Sequence, residues 1–281
     1  MSKQENLQKA HEINMQLLLE IERVCKKYGL TYYLICGGLI GAARHQGFIP
    51  WDDDVDIAMT RRDYQKLKKI AKKEWADGDF KFVRYDQMGN GAFLDFFSRL
   101  VYMKESVPCR TFMKIRGKGR TDIDNHIPLD IYVLDNADDN EKRFHRRFEI
   151  IAGLYGLAMG HRSYIDYSEY ADHPDITRKR VKVLSTIGRH LPLKLILWAY
   201  ELVCCSCELH PHSENYFTSN GYIFCIQQRL KKEWFAEGTP LPIHGHMFNA
   251  PQGYKEYLTF FYGDYMRLPP EEKRTPDHVL D

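Results

Sequence analysis

An α+β fold is predicted for this chain by three observations. Short strand-like runs rich in β-branched and aromatic residues fill the first half. One of those runs carries carboxylates at alternate positions. From Asn140 onward the pattern changes to longer segments with apolar residues at helical spacing. The expected division is a core of mixed strands over residues 1–138 and a mainly helical region over 139–281 that completes the cleft.

In chain order, Ile13, Leu17, Ile21 and Val24 recur at helical spacing and Leu18 and Cys25 widen the stripe, so a helix is expected over 7–25, stopped by Gly29. Leu30 to Ile35 reads as a short strand. Gly37, Gly38 and Gly41 break it into a tight turn and a short helix that carries Arg44 and His45. After a loop ending at Pro50, Val55 to Met59 reads as a second buried strand. Thr60 and Asp63 resemble a capping box for a helix from Arg61 to Lys73. Further strands are expected at Phe80–Tyr85, Phe93–Met103, Thr111–Ile115 and Ile127–Leu134. In the last, Ile127, Leu129, Ile131 and Val133 alternate with Pro128, Asp130 and Tyr132, which turns Asp130 away from the aliphatic side. Helices are expected at 140–158, 175–189 and 193–209, then a mixed segment with Tyr222–Ile226 and a helix near Gly253–Tyr262.

Of the 281 residues, 44% are hydrophobic and 28% charged, the balance of a globular protein with a sizeable core. Forty Lys and Arg against 38 Asp and Glu leave a charge of +2, so composition gives no reason to expect a nucleic-acid partner. Met1 to Ala10 is polar, and the most apolar stretch, Leu191 to Cys207, is interrupted by Pro192, Lys194 and Glu201 and is too short to span a bilayer. The expectation is therefore a cytoplasmic protein. Membrane contact would be peripheral at most, through the basic run Arg178 to Lys182 beside that apolar stretch; the competing reading of the run is a solvated helix face. The seven cysteines are expected to be reduced. Cys204, Cys205 and Cys207 with His210 and His212 form the one soft-ligand cluster, open to two readings: a structural zinc site or small buried side chains.

Chemistry is concentrated in Pro50-Trp51-Asp52-Asp53-Asp54-Val55-Asp56-Ile57. Four carboxylates within five residues repel one another and lead straight into an apolar strand. Burying them without a partner costs several kcal/mol each, which a divalent cation removes. Hard oxygen donors suit Mg²⁺ or Mn²⁺. On an extended chain Asp54 and Asp56 share one side while Val55 and Ile57 point to the core. A solvated acidic loop would account for Asp52 and Asp53, but not for the acids interleaved with Val55 and Ile57. An EF-hand would need Gly where Ile57 stands and Glu where Asp63 stands. Gly37 and Gly38 would allow phosphate to approach the backbone, or simply form a turn. Arg44 suits a phosphate clamp, or a salt bridge to one of the acids. Trp51, beside the acids, is the aromatic candidate for a cation–π contact, or packs beneath the loop.

The segment Tyr33-Leu34-Ile35-Cys36-Gly37-Gly38-Leu39-Ile40-Gly41-Ala42-Ala43-Arg44-His45-Gln46-Gly47-Phe48-Ile49-Pro50-Trp51-Asp52-Asp53-Asp54-Val55-Asp56 resembles the signature of the LicD family, which includes the fukutin-related proteins. Pro251, Tyr254 to Leu258 and Tyr262-Gly263-Asp264-Tyr265-Met266-Arg267-Leu268-Pro269-Pro270 resemble its C-terminal motif, and Ile127-Pro128-Leu129-Asp130 its later Asp-bearing strand. The resemblance implies a nucleotidyltransferase-like core with Asp54, Asp56 and Asp130 as catalytic and metal-ligating carboxylates. It implies that Gly37 is the glycine of the phosphate turn; Gly38, Arg44, His45 and Trp51 are the further substrate-contact candidates beside it. It also implies transfer of a phospho-alcohol, phosphocholine or ribitol phosphate, from a CDP-activated donor to a glycan hydroxyl. The competing chemistry is nucleotidyl transfer with release of pyrophosphate. Gly38 departs from the pattern, where the family usually has Thr or Ser.

Overall fold

The computed structural model describes residues 2–87, 93–107, 126–162, 164–170, 177–221, 226–276 and 278. The expected strand at Thr111–Ile115 and most of Tyr222–Ile226 lie outside the described residues.

Helix α1 (Lys3–Tyr28) begins with a reciprocal cap between Ser2 and Glu5 and ends at Gly29, whose φ of 61° places it in the left-handed region that favours glycine. Its apolar stripe, Ile13, Leu17, Leu18, Ile21 and Val24, is wholly buried. Strand β1 (Tyr33–Ile35) runs straight into a short helix α2 (Cys36–Ile40) and then a π-helical turn at Gly41–His45. Strand β2 (Val55–Thr60) follows the acidic loop. Helix α3 (Arg61–Glu74) is capped by Thr60, whose Oγ1 accepts from the Asp63 amide at 3.3 Å.

Strands β3 (Phe80–Val83), β4 (Ser98–Tyr102) and β5 (Pro128–Ala137) complete a main sheet in the order β1-β2-β5-β4-β3. Its β2–β5 pair is parallel and the others are antiparallel, so the sheet is mixed. β5 is long enough to serve two neighbours on one edge: Pro128 to Ile131 pair with β4, and Leu134 to Ala137 pair with β6 (Asn215–Thr218). β6 in turn pairs with β7 (Leu230–Lys231). Residues after 138 thus supply helices α4 (Glu141–Ala158), α5 (Arg178–Gly188) and α6 (Leu193–Cys205), and also two strands of the main sheet.

Strands β8 (Gly238–Ile243) and β9 (His246–Pro251) form a hairpin that the sequence reading does not anticipate. Its two-residue turn, His244-Gly245, has φ of 48° and 83°, the doubly positive geometry of tight hairpins. The hairpin braces the loop after the π-helical turn: the His244 amide donates to Gln46 O at 2.9 Å, and the Phe48 amide donates to His244 Nε2 at 3.3 Å. Helix α7 (Tyr254–Tyr262) follows.

The mixed sheet with helices packed on it is the α+β class expected. One core cluster joins α1, β1, β2, α3 and the hairpin; a second joins α4, α5 and α6 with Phe93, Phe96 and Phe217. A fully buried ion pair ties α3 to β5: Arg61 Nη2 lies 2.6 Å from Asp135 Oδ2.

Candidate active site

Sheet register assembles the centre of the site. Asp56 on β2 pairs with Asp130 on β5, and Asp130 pairs on its other side with Arg99 on β4. Register partners project to the same face, so two carboxylates and a guanidinium stand in one row. Arg99 Nε lies 2.7 Å from Asp130 Oδ1, and Arg99 Nη2 lies 2.8 Å from Asp95 Oδ2. Arg99 is therefore bracketed by Asp130 and Asp95.

The electrostatics follow from this crowding. Burial, and then the charges of Asp54, Asp130 and Asp52, push the Asp56 carboxyl well above the usual carboxylate range. Burial likewise pushes Asp130 up to about 6, against the opposing pull of Arg99. These are hard oxygen donors held together at a free-energy cost, and a divalent cation would relieve it. The donor set therefore fits Mg²⁺ or Mn²⁺.

Side-chain positions add a group that the sequence reading does not foresee. Among the described residues, the ligand atoms that lie within 4.8 Å of one another are those of Asp53, Asp54 and His278; the oxygens of Asp54, Asp56 and Asp130 are not drawn that close. Asp53, which a solvated loop would have accommodated, is fully buried. Helix α1 holds its backbone, since Asn14 Nδ2 donates to Asp53 O at 3.0 Å and His11 Nε2 lies 2.7 Å from Asp52 O. His278 supplies its counter-charge: the His278 amide donates to Asp53 Oδ2 at 2.8 Å, and Nδ1 lies 3.0 Å from Asp53 Oδ1 and 3.5 Å from Asp54 Oδ2. Burial pulls the His278 imidazole down, but Asp53 and Asp54 outweigh it and raise it to about 9.

Gly37 and Gly38 lie inside α2 rather than in a turn before it, and Cys36, with φ 50°, makes the bend. Their value here is closeness. A Cβ on Gly37 would fall 1.9 Å from Asp52 Oδ2, and one on Gly38 would fall 2.9 Å from Val55 Cγ2. The glycines let the acidic loop settle directly on α2.

Arg44 is turned toward the C-terminal segment: its Nη1 donates to Tyr265 O at 2.6 Å, joining the π-helical turn to the segment after α7. His45 packs edge-on to Trp51 at 6.2 Å. The Arg274 guanidinium covers the Trp51 ring at 5.5 Å from its centroid. Arg44, Trp51 and Arg274 line a cavity of about 680 Å³ with Tyr262, Tyr265 and Arg267.

The soft-ligand cluster is not gathered as a metal group among the described residues. Cys204 and Cys207 are buried in the second core cluster, where burial pushes the Cys204 thiol up to about 12. His210 faces Asp138 at 3.9 Å.

Arg99, Asp95 and His278 escape sequence reasoning. Arg99 and Asp95 carry a weak signal, two opposite charges four apart in a strand-forming region. His278 carries none.

A mixed sheet that carries paired carboxylates beside a glycine-lined helical turn defines a class of α+β proteins. Within that class, residues 29–119 match the family model described as LicD/FKTN/FKRP, nucleotidyltransferase domain. The lipopolysaccharide cholinephosphotransferase LicD of Haemophilus influenzae is 27% identical over 275 residues, covering 95% of this chain and 94% of that protein. The ribitol 5-phosphate transferases FKRP of Homo sapiens and Mus musculus are each 33% identical over 78 residues, 23% of this chain and 16% of theirs. Similarity to named phospho-alcohol transferases thus covers most of the chain in one case and a short segment in the other. No helix of the described residues is long and apolar enough to cross a membrane.

Proposed function

We propose that this chain transfers phosphocholine from a CDP-activated donor to a glycan hydroxyl in the cytoplasm, on a nucleotidyltransferase-like core. The observation that carries the reading is the register pairing of Asp56 with Asp130 at the end of the acidic loop. The named activity of the Haemophilus influenzae relative supports the choice of alcohol.

Asp54, Asp56 and Asp130 would hold Mg²⁺ or Mn²⁺, which when bound neutralises phosphate charge and favours departure of CMP. Where Asp130 does not ligate the ion, it would instead receive the proton of the acceptor hydroxyl. A carboxyl raised to about 6 and fixed by Arg99 suits a general base near neutral pH. Gly37 and Gly38 leave a wall without side chains beside the acids. Arg44, His45 and Trp51 belong to the donor's nucleotide side. Three guanidinium groups, of Arg44, Arg267 and Arg274, face the cavity against the single carboxylate of Asp264, which favours phosphate over an ammonium group. Because Arg274 already covers Trp51, the reading moves the choline cage away from that ring.

The test is the shift in melting temperature with CDP-choline or CDP-ribitol, with and without Mg²⁺ or Mn²⁺, followed by product analysis. A metal-dependent shift with CDP-choline and release of CMP is expected. Release of pyrophosphate from a nucleoside triphosphate would instead establish nucleotidyl transfer, and a shift with CDP-ribitol alone would change the alcohol.

A further inference from the structure

Helices α5 and α6 both pack on α4 and are joined by the turn at 189–192. α6 buries Ile196, Leu197, Tyr200 and Cys204. Its opposite side leaves Leu195 54%, Trp198 62% and Leu202 56% exposed. Their spacing of three and then four residues sets them in one stripe along the helix. On α5, Val183 and Ile187, four apart, are 51% and 50% exposed. Single exposed apolar residues are ordinary, whereas a continuous stripe containing tryptophan marks an interaction surface.

The charges along α5 and the first two turns of α6 are of one sign. Residues 177–200 contain six Lys and Arg and no Asp or Glu. Arg180 is paired with Glu149 at 2.8 Å, and Lys182 lies over the Tyr167 ring at 5.3 Å, while Lys179 and Lys194 are exposed. The carboxylate of α6, Glu201, turns inward, accepting from Lys68 Nζ at 2.6 Å and from Gln65 Nε2 at 2.7 Å.

We propose that the α5–α6 hairpin docks the protein on an anionic lipid surface, with Leu195, Trp198 and Leu202 entering the headgroup boundary and the flanking lysines and arginines meeting lipid phosphates. An apolar face with tryptophan and a basic border is the composition that binds in the plane of such an interface. A second copy of the chain is a poor occupant, because two hairpins face to face would bring together two sets of six cations. The thirteen residues of α6 are too few to span the hydrocarbon core, so the contact lies on the surface. The proposal does not rest on the chemistry at the acidic loop.

The experiment sediments the full chain with vesicles of phosphatidylcholine alone, and with vesicles containing a third phosphatidylglycerol, at low and high salt. Binding is expected to the anionic vesicles only and to weaken as salt rises. The combined Leu195→Gln, Trp198→Gln, Leu202→Gln variant should lose roughly tenfold or more in partitioning. Lys179→Gln and Lys194→Gln should each lose about fivefold. The melting shift with CDP-choline should be the same in the triple variant as in the parent, which separates this idea from the proposed reaction. Equal binding to both vesicle types, or triple-variant binding as strong as the parent's, would overturn the proposal. So would a dimer in analytical ultracentrifugation that the triple variant converts to monomer, because the face would then be a protein interface.

Discussion

Asp130 stands in register beside Asp56 across the parallel β2–β5 pair. Two carboxylates at this separation cannot both be ionised in a buried setting without a counter-charge, and Arg99 supplies one to Asp130 alone.

Asp56→Asn should therefore abolish turnover while leaving the metal-free fold as stable as the parent, or more so. The loss expected for a residue that holds the essential cation is about a thousandfold or greater. CMP release and thermal melting in chelator measure the two halves. A variant that melts normally and retains full turnover would remove Asp56 from the site.

Arg99→Met leaves the half-buried Asp130 and Asp95 without their shared cation, and should cost about 3–5 kcal/mol. Adding Asp95→Asn and Asp130→Asn should recover much of that stability, since three neutral groups replace one unbalanced pair. Urea unfolding of the single and triple variants makes the comparison.

Gly37→Ala and Gly41→Ala should differ in kind. A Cβ at Gly41 would lie 2.5 Å from Gly47 O, a backbone atom that can move only with its loop, so a loss of about 1–3 kcal/mol is expected. At Gly37 the obstacle is the Asp52 side chain, which can rotate, so the fold should survive while donor affinity falls. Melting temperatures and CDP-choline binding report on each.

Glu201 gives a pH dependence away from the site. Burial raises its carboxyl, but Arg61 and Lys68 outweigh burial and hold it down at about 2, against an ordinary value of 4.5. A carboxyl lowered on folding contributes stability that is present above pH 4.5 and is lost as pH falls toward 2. Glu201→Gln should flatten the acid limb of the unfolding curve across that window by about 2 kcal/mol, allowing for partial solvent screening. Unchanged limbs in parent and variant would show that the pair carries no linkage.

Much of this architecture is legible in the chain because strand periodicity and helix caps are local. Thr60 and Asp63 sit at the start of α3 as their spacing requires, and the alternation of Leu129, Ile131 and Val133 with Asp130 marks β5. The acidic loop stands out because its composition is costly to bury. Register is different in kind. That Asp56 faces Asp130, rather than a neighbour two residues away, is decided by sheet assembly between segments far apart in sequence. The hairpin escapes for a related reason: His244 takes a positive φ usually left to Gly or Asn, so its turn lacks the common signal. The burial of Asp53 is not legible because its partners, Asn14 and His278, lie on either side of it at distances no local pattern reports.

The contact between Asp53 and His278 spans 225 positions, which bears on how the protein is made. At about 5–20 residues per second, a ribosome would deliver that histidine roughly 10 to 45 s after the carboxylate it meets. Tyr265, Arg267 and Arg274, which line the cavity, also arrive late. A nascent chain can build its early strands first, but it lacks the closing wall and the cationic groups of Arg267, Arg274 and His278 until those segments have emerged. Binding competence should thus lag behind formation of the early strands.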